Sequence, residues 1–304
     1  MNSTPPGAAV TATRLGLEGP RGWAFRDIDA DAGPGTLIAV EGPSGSGRTS
    51  LLLVLTGRMR ATSGQAATGG EDLTGGRRSG QERRMAEVRR ISALAHVPGV
   101  CELEPALTVA EHLRERALLQ RRFTGSLRAL LRPRPERTAA ARRRIDAALE
   151  AAGLDPATLP KQERTAVRDL ERLESLRLSV ALALIDAPRL LAVDDTDLKL
   201  SGAEREQAWD LLRSVASSGT TVLAVCSEAP PGASVIRTSR TPRPGATGVT
   251  PDGSGPEPSG GPDCTDSTNG AGDTAADHTS TTGDGTDDHD SEGTNDAFTE
   301  TGRS

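Results

Sequence analysis

The stretch Val40–Gly57, VEGPSGSGRTSLLLVLTG, decides how the rest of the chain is read. An apolar strand, TLIAV at 36–40, runs into a glycine-rich loop, and a leucine-rich segment follows at once. Glycines at Gly42, Gly45 and Gly47 let consecutive backbone N–H groups converge on an anion without side-chain interference. The helix expected over residues 49–59 presents the positive end of its dipole to that anion. Gly42, Pro43, Ser44, Gly45, Ser46, Gly47, Arg48, Thr49 and Ser50 are therefore the candidate nucleotide-binding residues. Thr49 places a hydroxyl where such loops hold Mg²⁺. Arg48 stands where the pattern carries lysine; its fork is longer and planar, keeps the charge and binds phosphate in two-pronged fashion.

A second element belongs to the same chemistry. RLLAVDD, 189–195, is an apolar strand ending in two acids. Asp194 is the candidate second contact to Mg²⁺, and Asp195 is placed to orient or deprotonate an attacking water. Two acids capping an ordinary turn is the plainer alternative.

Around these motifs the pattern alternates. AVTATRLGL, WAFRDIDA and TLIAV read as short strands, residues 60–80 as turn-rich, ISALAHV (91–97) and GTTVLAVCSE (219–228) as further strands. Residues 107–184 turn helical, and Thr108 three residues before Glu111 has the spacing of a capping box. Strands alternating with helices predict an α/β domain with a largely parallel sheet.

Charge divides the chain. From Pro244 to Ser304 there are thirteen Asp and Glu against one Arg, a charge of −12. The whole chain carries −6, which leaves +6 for residues 1–243. The end segment is mostly Gly, Thr, Ser, Asp and Pro, a composition that cannot bury enough apolar surface to offset ordering, and disorder is expected there. Between residues 114 and 144 lie eleven Arg and two acids, read either as a solvated helical face or as a patch for an acidic surface. No stacking aromatics accompany these arginines, so no nucleic-acid partner is expected. Cys101, Cys226 and Cys264 are scattered without metal-ligand spacing, which suits a reducing cytosol. No apolar run reaches the length of a membrane span, so a membrane role requires a partner.

With these motifs placed, residues 8–236 resemble the ATP-binding subunits of ABC transporters. GPSGSGRTSLLLVLTGRM resembles that family's phosphate loop and helix. RATSGQAATGGEDL at 60–73, LTVAEHL at 107–113, LSVALALIDAPRLLAVDDTD and GTTVLAVCSE resemble further family segments in the same order and spacing. The resemblance implies a P-loop NTPase fold over 8–238, with a helical subdomain inserted at about 107–178 and a disordered acidic tail at 239–304. It implies ATP and Mg²⁺ as ligands, a membrane-spanning partner subunit, and pairing with itself or another ABC ATPase, at the inner face of the cell membrane. It further implies adenine stacking on Trp23, a γ-phosphate or metal role at His96, and Ser227 at the position of the switch histidine.

The departures are as consistent as the matches. LERLE, Leu170–Glu174, stands where the family carries the LSGGQ signature, which reaches the γ-phosphate across a dimer. Asp195 is one methylene shorter than the family's catalytic glutamate, and Ser227 cannot carry a proton as imidazole does. The expected function is ATP binding with slow or partner-dependent hydrolysis. The alternative is a regulatory module that binds ATP without significant turnover. A P-loop kinase is disfavoured, since no acceptor-substrate motif is visible.

Overall fold

The computed structural model describes residues 7–124 and 134–239. The acidic segment 240–304 and the middle of the arginine-rich stretch lie outside the described residues.

Two sheets face one another. Strands β1 (Val10–Gly19), β2 (Gly22–Ala32), β4 (Ser63–Thr68) and β5 (Glu71–Asp72) form an antiparallel sheet in the order β2-β1-β4-β5. Strands β3 (Leu37–Glu41), β6 (Ser92–Leu94), β7 (Leu190–Val193), β8 (Thr221–Cys226) and β9 (Ser234–Arg237) form a parallel sheet in the order β6-β7-β8-β3-β9. The helices are α1 (Arg48–Leu55), α2 (Arg78–Ile91), α3 (Val109–Thr124), α4 (Arg134–Ala151), α5 (Arg172–Leu184) and α6 (Gly202–Ser217).

The parallel sheet is covered on both faces, and its sequence shows why. Successive side chains of a strand point to opposite faces. Ile38 and Val40 of β3, Leu190 and Ala192 of β7, and Leu223 and Val225 of β8 join the core that holds α1, α2 and the antiparallel sheet. Their neighbours Leu37, Ala39, Leu191, Val193, Val222 and Ala224 join a second core beneath α4, α5 and α6. Apart from Glu41 and Thr221 at their ends, the central strands β3, β7 and β8 are apolar because neither face meets water. Trp209 of α6, 2% exposed, fills the second core.

The strand that opens the phosphate loop lies inside the sheet, flanked by β8 and β9. β7 and β8 end beside it, in register Val193↔Ala224 and Glu41↔Cys226. The carboxyl ends of three parallel strands therefore gather at one edge, the position where open α/β sheets bind ligands.

The helical segment is held differently. The capping box at Thr108 forms, with Thr108 N–H and hydroxyl on Glu111 Oε2 at 2.8 Å each. Three short 3₁₀ turns between Pro156 and Asp169 lead into α5. Among the described residues no helix is long and apolar enough to cross a membrane.

The structure adds elements that the sequence pattern did not reveal. Residues 63–68 form a strand within the stretch expected to be turn-rich, and residues 78–91, mostly beyond it, are helical. Residues 202–217 form α6, and the four-residue β9 completes the sheet. The expected helix over 49–59 is shorter, ending at Leu55, where Gly57 at φ +71° turns the chain. The strands of residues 8–32 build a sheet of their own instead of extending the parallel one.

Candidate functional site

The phosphate loop is shaped from two sides. On one side Gly47, the residue before α1, sits at φ +81°, and a Cβ there would lie 2.3 Å from the carbonyl oxygen of Ala24 on β2. On the other side a Cβ on Gly42 would lie 2.3 Å from Thr238 Oγ1 and 2.6 Å from the Thr238 carbonyl oxygen. Any side chain at either glycine would displace backbone, so residue choice here follows from close approach. Within the loop, Ser46 N–H donates to the Pro43 carbonyl at 3.2 Å.

The two acids lie beside the loop. Thr49 Oγ1 donates to Asp194 Oδ2 at 2.5 Å, joining the first turn of α1 to the end of β7. Asp194 is 1% exposed. Burial pushes its carboxyl above the ordinary carboxylate range, against the lowering effect of the Thr49 hydrogen bond. Asp195 adopts φ +48°, and its N–H folds back to Asp194 Oδ1 at 2.9 Å. That turn brings Asp195 to the wall of the cleft.

Arg48 reaches across the sheet end. Its Nη1 donates to the Cys226 carbonyl at 2.5 Å, the last residue of β8. Ser227 follows, and its N–H donates to Asp197 Oδ2 at 2.7 Å. Burial pushes the Cys226 thiol up to about 12, so it stays protonated.

An open cleft of about 610 Å³ joins these groups, lined by Glu41, Gly42, Pro43, Ser44, Arg48, Asp195, Asp197, Leu198, Ser227, Arg237 and Thr238. The structure thus brings the loop, Arg48, Asp195 and Ser227 into one space. Ser46 is 1% exposed, and its hydroxyl faces Thr238 instead of the cleft. Trp23 sits on β2 opposite Glu18, half-buried, with its ring against Gly16 and one residue from the Ala24 carbonyl that backs Gly47. His96 touches the acid strand through its backbone, its carbonyl accepting Asp194 N–H at 2.7 Å. Its ring Nε2 lies 3.4 Å from Arg172 Nη2. Burial first, then the Arg172 charge, holds the imidazole below its usual value.

Asp197, Arg237 and Thr238 were not legible as site residues. Asp197 stands three places after Asp194, but spacing alone does not say which way the turn at Asp195 sends it. Arg237 and Thr238 belong to an edge strand too short to signal itself.

The residues fit a magnesium–triphosphate. The glycines let the loop pack against Ala24 and Thr238 without side chains, a buried carboxylate faces a hydroxyl, and Arg48 and Arg237 line the cleft. Asp194 is the kind of buried anion that a cation compensates.

Comparison with known proteins finds relatives of the chain. Residues 25–197 match the family model described as ABC transporter. The chain is similar to the Nod factor export ATP-binding protein I of Cupriavidus pinatubonensis, 30% identical over 197 residues, covering 65% of this chain and 52% of that protein. A shorter stretch is similar to the cytochrome c biogenesis ATP-binding export protein CcmA of Pseudomonas putida, 44% identical over 52 residues, 16% of this chain and 25% of that one. The chain spans about half the length of the Nod factor export relatives it matches. In fold it is similar to a bacterial ABC transporter cassette solved as a dimer, at TM-score 0.57 and 18% identity, over 76% of this chain and 94% of that one.

Proposed function

This chain belongs to the ABC transporter family, and from that premise we propose that it is a nucleotide-binding subunit that binds MgATP and turns it over slowly or only with a partner. The observation that carries the reading is the Thr49–Asp194 contact of 2.5 Å, which closes the phosphate loop onto the acid strand. In this reading the amides of Gly42–Gly47 and the Arg48 guanidinium hold the phosphates. Ser50 adds the next amide of the helix end, and Trp23 receives the adenine. Thr49 and Asp194 hold Mg²⁺, which neutralises charge on the phosphate oxygens when bound. His96 sits behind Asp194 and fixes the end of its strand. Asp195 orients a water, and Ser227 lies at the wall nearest the reacting end.

Arg48 supports this assignment in a way a lysine would not. One arm of the guanidinium already rests on the Cys226 carbonyl. The fork has donors on its other arm for a phosphate oxygen without giving up that tie.

Slow turnover is supported by the chemistry of the positions that complete the site. Phosphoryl transfer depends on positioning and on donors aimed at developing charge. Ser227 offers a hydroxyl in place of an imidazole, and Asp195 is one methylene short. At the signature position Glu171 precedes α5, and its N–H is taken by Glu174 Oε2 at 2.8 Å. That same capping favours the second reading, a regulatory module that binds ATP without turnover, because a carboxylate at the helix start repels a phosphate. Assembly with a membrane-spanning subunit, as a homodimer or with another ABC ATPase, belongs to the proposal and places the chain at the membrane through its partner.

The test is calorimetric titration with ATP, with and without Mg²⁺, followed by phosphate release. Micromolar, Mg²⁺-dependent binding is expected, with affinity falling at least tenfold in Arg48→Ala. Turnover abolished by Asp195→Asn supports the ATPase; binding with no turnover, alone or with the membrane partner, selects the regulatory module. No MgATP binding would overturn both.

A further inference from the structure

β9 lies outside every motif that marks the nucleotide site, yet the residue that follows it is built into the phosphate loop. Thr238 is 4% exposed. Its N–H donates to the Glu41 carbonyl at 2.8 Å, which extends the β3–β9 ladder by one residue. Its hydroxyl also donates to that carbonyl, at 3.3 Å, and lies 2.6 Å from Ser46 Oγ. Either hydroxyl can donate in the shorter bond. The contacts run from Ser46 to Thr238 to the Glu41 carbonyl and tie the far part of the loop to the strand that enters it. The same hydroxyl fills the space beside Gly42. Thr238 thus touches the loop at its first glycine and at its fifth residue.

We infer that Thr238 is a positioning residue for the phosphate loop, acting through Ser46, so that the end of β9 is part of the nucleotide site. The inference rests on the proposal that the loop binds MgATP. A loop whose amides must converge on one anion loses affinity steeply when its spacing relaxes. Gly47 is already fixed by the Ala24 carbonyl, and the internal turn from Ser46 to Pro43 is long at 3.2 Å. The hydroxyl pair is the shorter of the two bonds that hold Ser46 in place.

The test compares four forms of the full chain by MgATP titration and thermal melting: unaltered, Thr238→Val, Thr238→Ser, and the double change Ser46→Ala with Thr238→Val. Valine keeps the shape and removes the hydroxyl; serine keeps the hydroxyl. Thr238→Val is expected to weaken MgATP binding about tenfold, in line with loss of loop positioning, while Thr238→Ser stays within about twofold. Thr238→Val also strands the Ser46 hydroxyl in a buried place and lowers the melting temperature. The double change leaves neither partner stranded, so its melting temperature recovers while its MgATP affinity stays weak. A purely structural role predicts that affinity recovers together with stability, and that result overturns the inference. Equal affinity in Thr238→Val and the unaltered chain overturns it as well. The double change decides the matter if Thr238→Val alone does not fold. Absence of binding by the unaltered chain removes the nucleotide reading itself and this inference with it; binding by the unaltered chain isolates the question of Thr238.

Discussion

The edge of the parallel sheet and the helical segment that follows β6 are specified by different physics. At the sheet edge, residues are chosen by backbone approach. Gly47 can carry no side chain against Ala24, and Gly42 none against Thr238. In the helical segment, residues are chosen by burial and capping. Ile145, Ala148 and Leu149 of α4 face the core beside Leu173 and Leu176 of α5, and exposed positions are freely arginine. A site written in main-chain geometry resists substitution, whereas one written on a helix surface can change its side chains and still fold. Leu170–Glu174 is of the second kind: its Glu171 and Glu174 side chains cap a well-formed helix.

The comparison breaks most sharply at two glycines. Gly47→Ala is expected to cost about 3–5 kcal/mol in urea unfolding, from left-handed strain plus overlap with the Ala24 carbonyl, and to abolish MgATP binding. Gly153, just after α4, has φ +61° but open space around it. Gly153→Ala is expected to cost about 1–2 kcal/mol, conformational strain alone, with affinity unchanged. Equal costs would show that the close approach at Gly47 relaxes freely.

A second, smaller effect tests how the helices dock on the sheet. Arg116 of α3 pairs with Asp186, just past α5, at 2.5 Å. Burial nevertheless raises the Asp186 carboxyl above its ordinary value, in opposition to Arg116. Its ionised form is therefore disfavoured on folding, and the stability it contributes is largest below the ordinary carboxylate value and declines as pH rises toward the folded value. Arg116→Ala is expected to cost about 1–3 kcal/mol at neutral pH, because it takes the hydrogen-bonded partner from a half-buried carboxylate. Asp186→Asn should cost less and remove the decline in stability that Asp186 causes as pH rises from the ordinary to the folded carboxylate value. A larger loss in Asp186→Asn would mean that the pair is net stabilising.

The smallest effect belongs to the cap of α5. Glu174→Ala removes the acceptor for Glu171 N–H and should cost about 0.5–1 kcal/mol in stability. With MgATP affinity in the isolated chain unchanged, the helix start would be independent of the phosphate loop; a coupled loss of affinity would merge the two regions.

What could be read from residues alone follows the same division. The loop, the acid strand and the apolar central strands were legible because each carries a local signal: glycine spacing, a terminal acid pair, or unbroken apolarity. α2 was not, since RSGQERRMAEVRRI buries only Met85 and Val88 and shows no apolar period. β4, SGQAAT, has Thr68 as its one β-branched residue and no aromatic, and is held by pairing to β1. α6 did carry a signal, Ser201 with Glu204 ahead of Leu211, Leu212 and Val215, and a search for capping boxes finds it. Thr238 was beyond reach, because its contact with Ser46 is a hydroxyl pair between residues 192 positions apart, brought together by the parallel pairing of β3 and β9.

The placement of aromatic residues has a practical consequence. The chain has two tryptophans and no tyrosine, so ultraviolet emission comes from two indoles alone. Trp209 is sealed in the core and emits as a dry reporter of whether the helices stay packed; Trp23, half-open on β2, emits as a wetter one beside the loop. The molecule therefore carries two optical channels, separable by colour, through which the packing of the helical core and the state of the β2 edge can be followed at once without any attached dye.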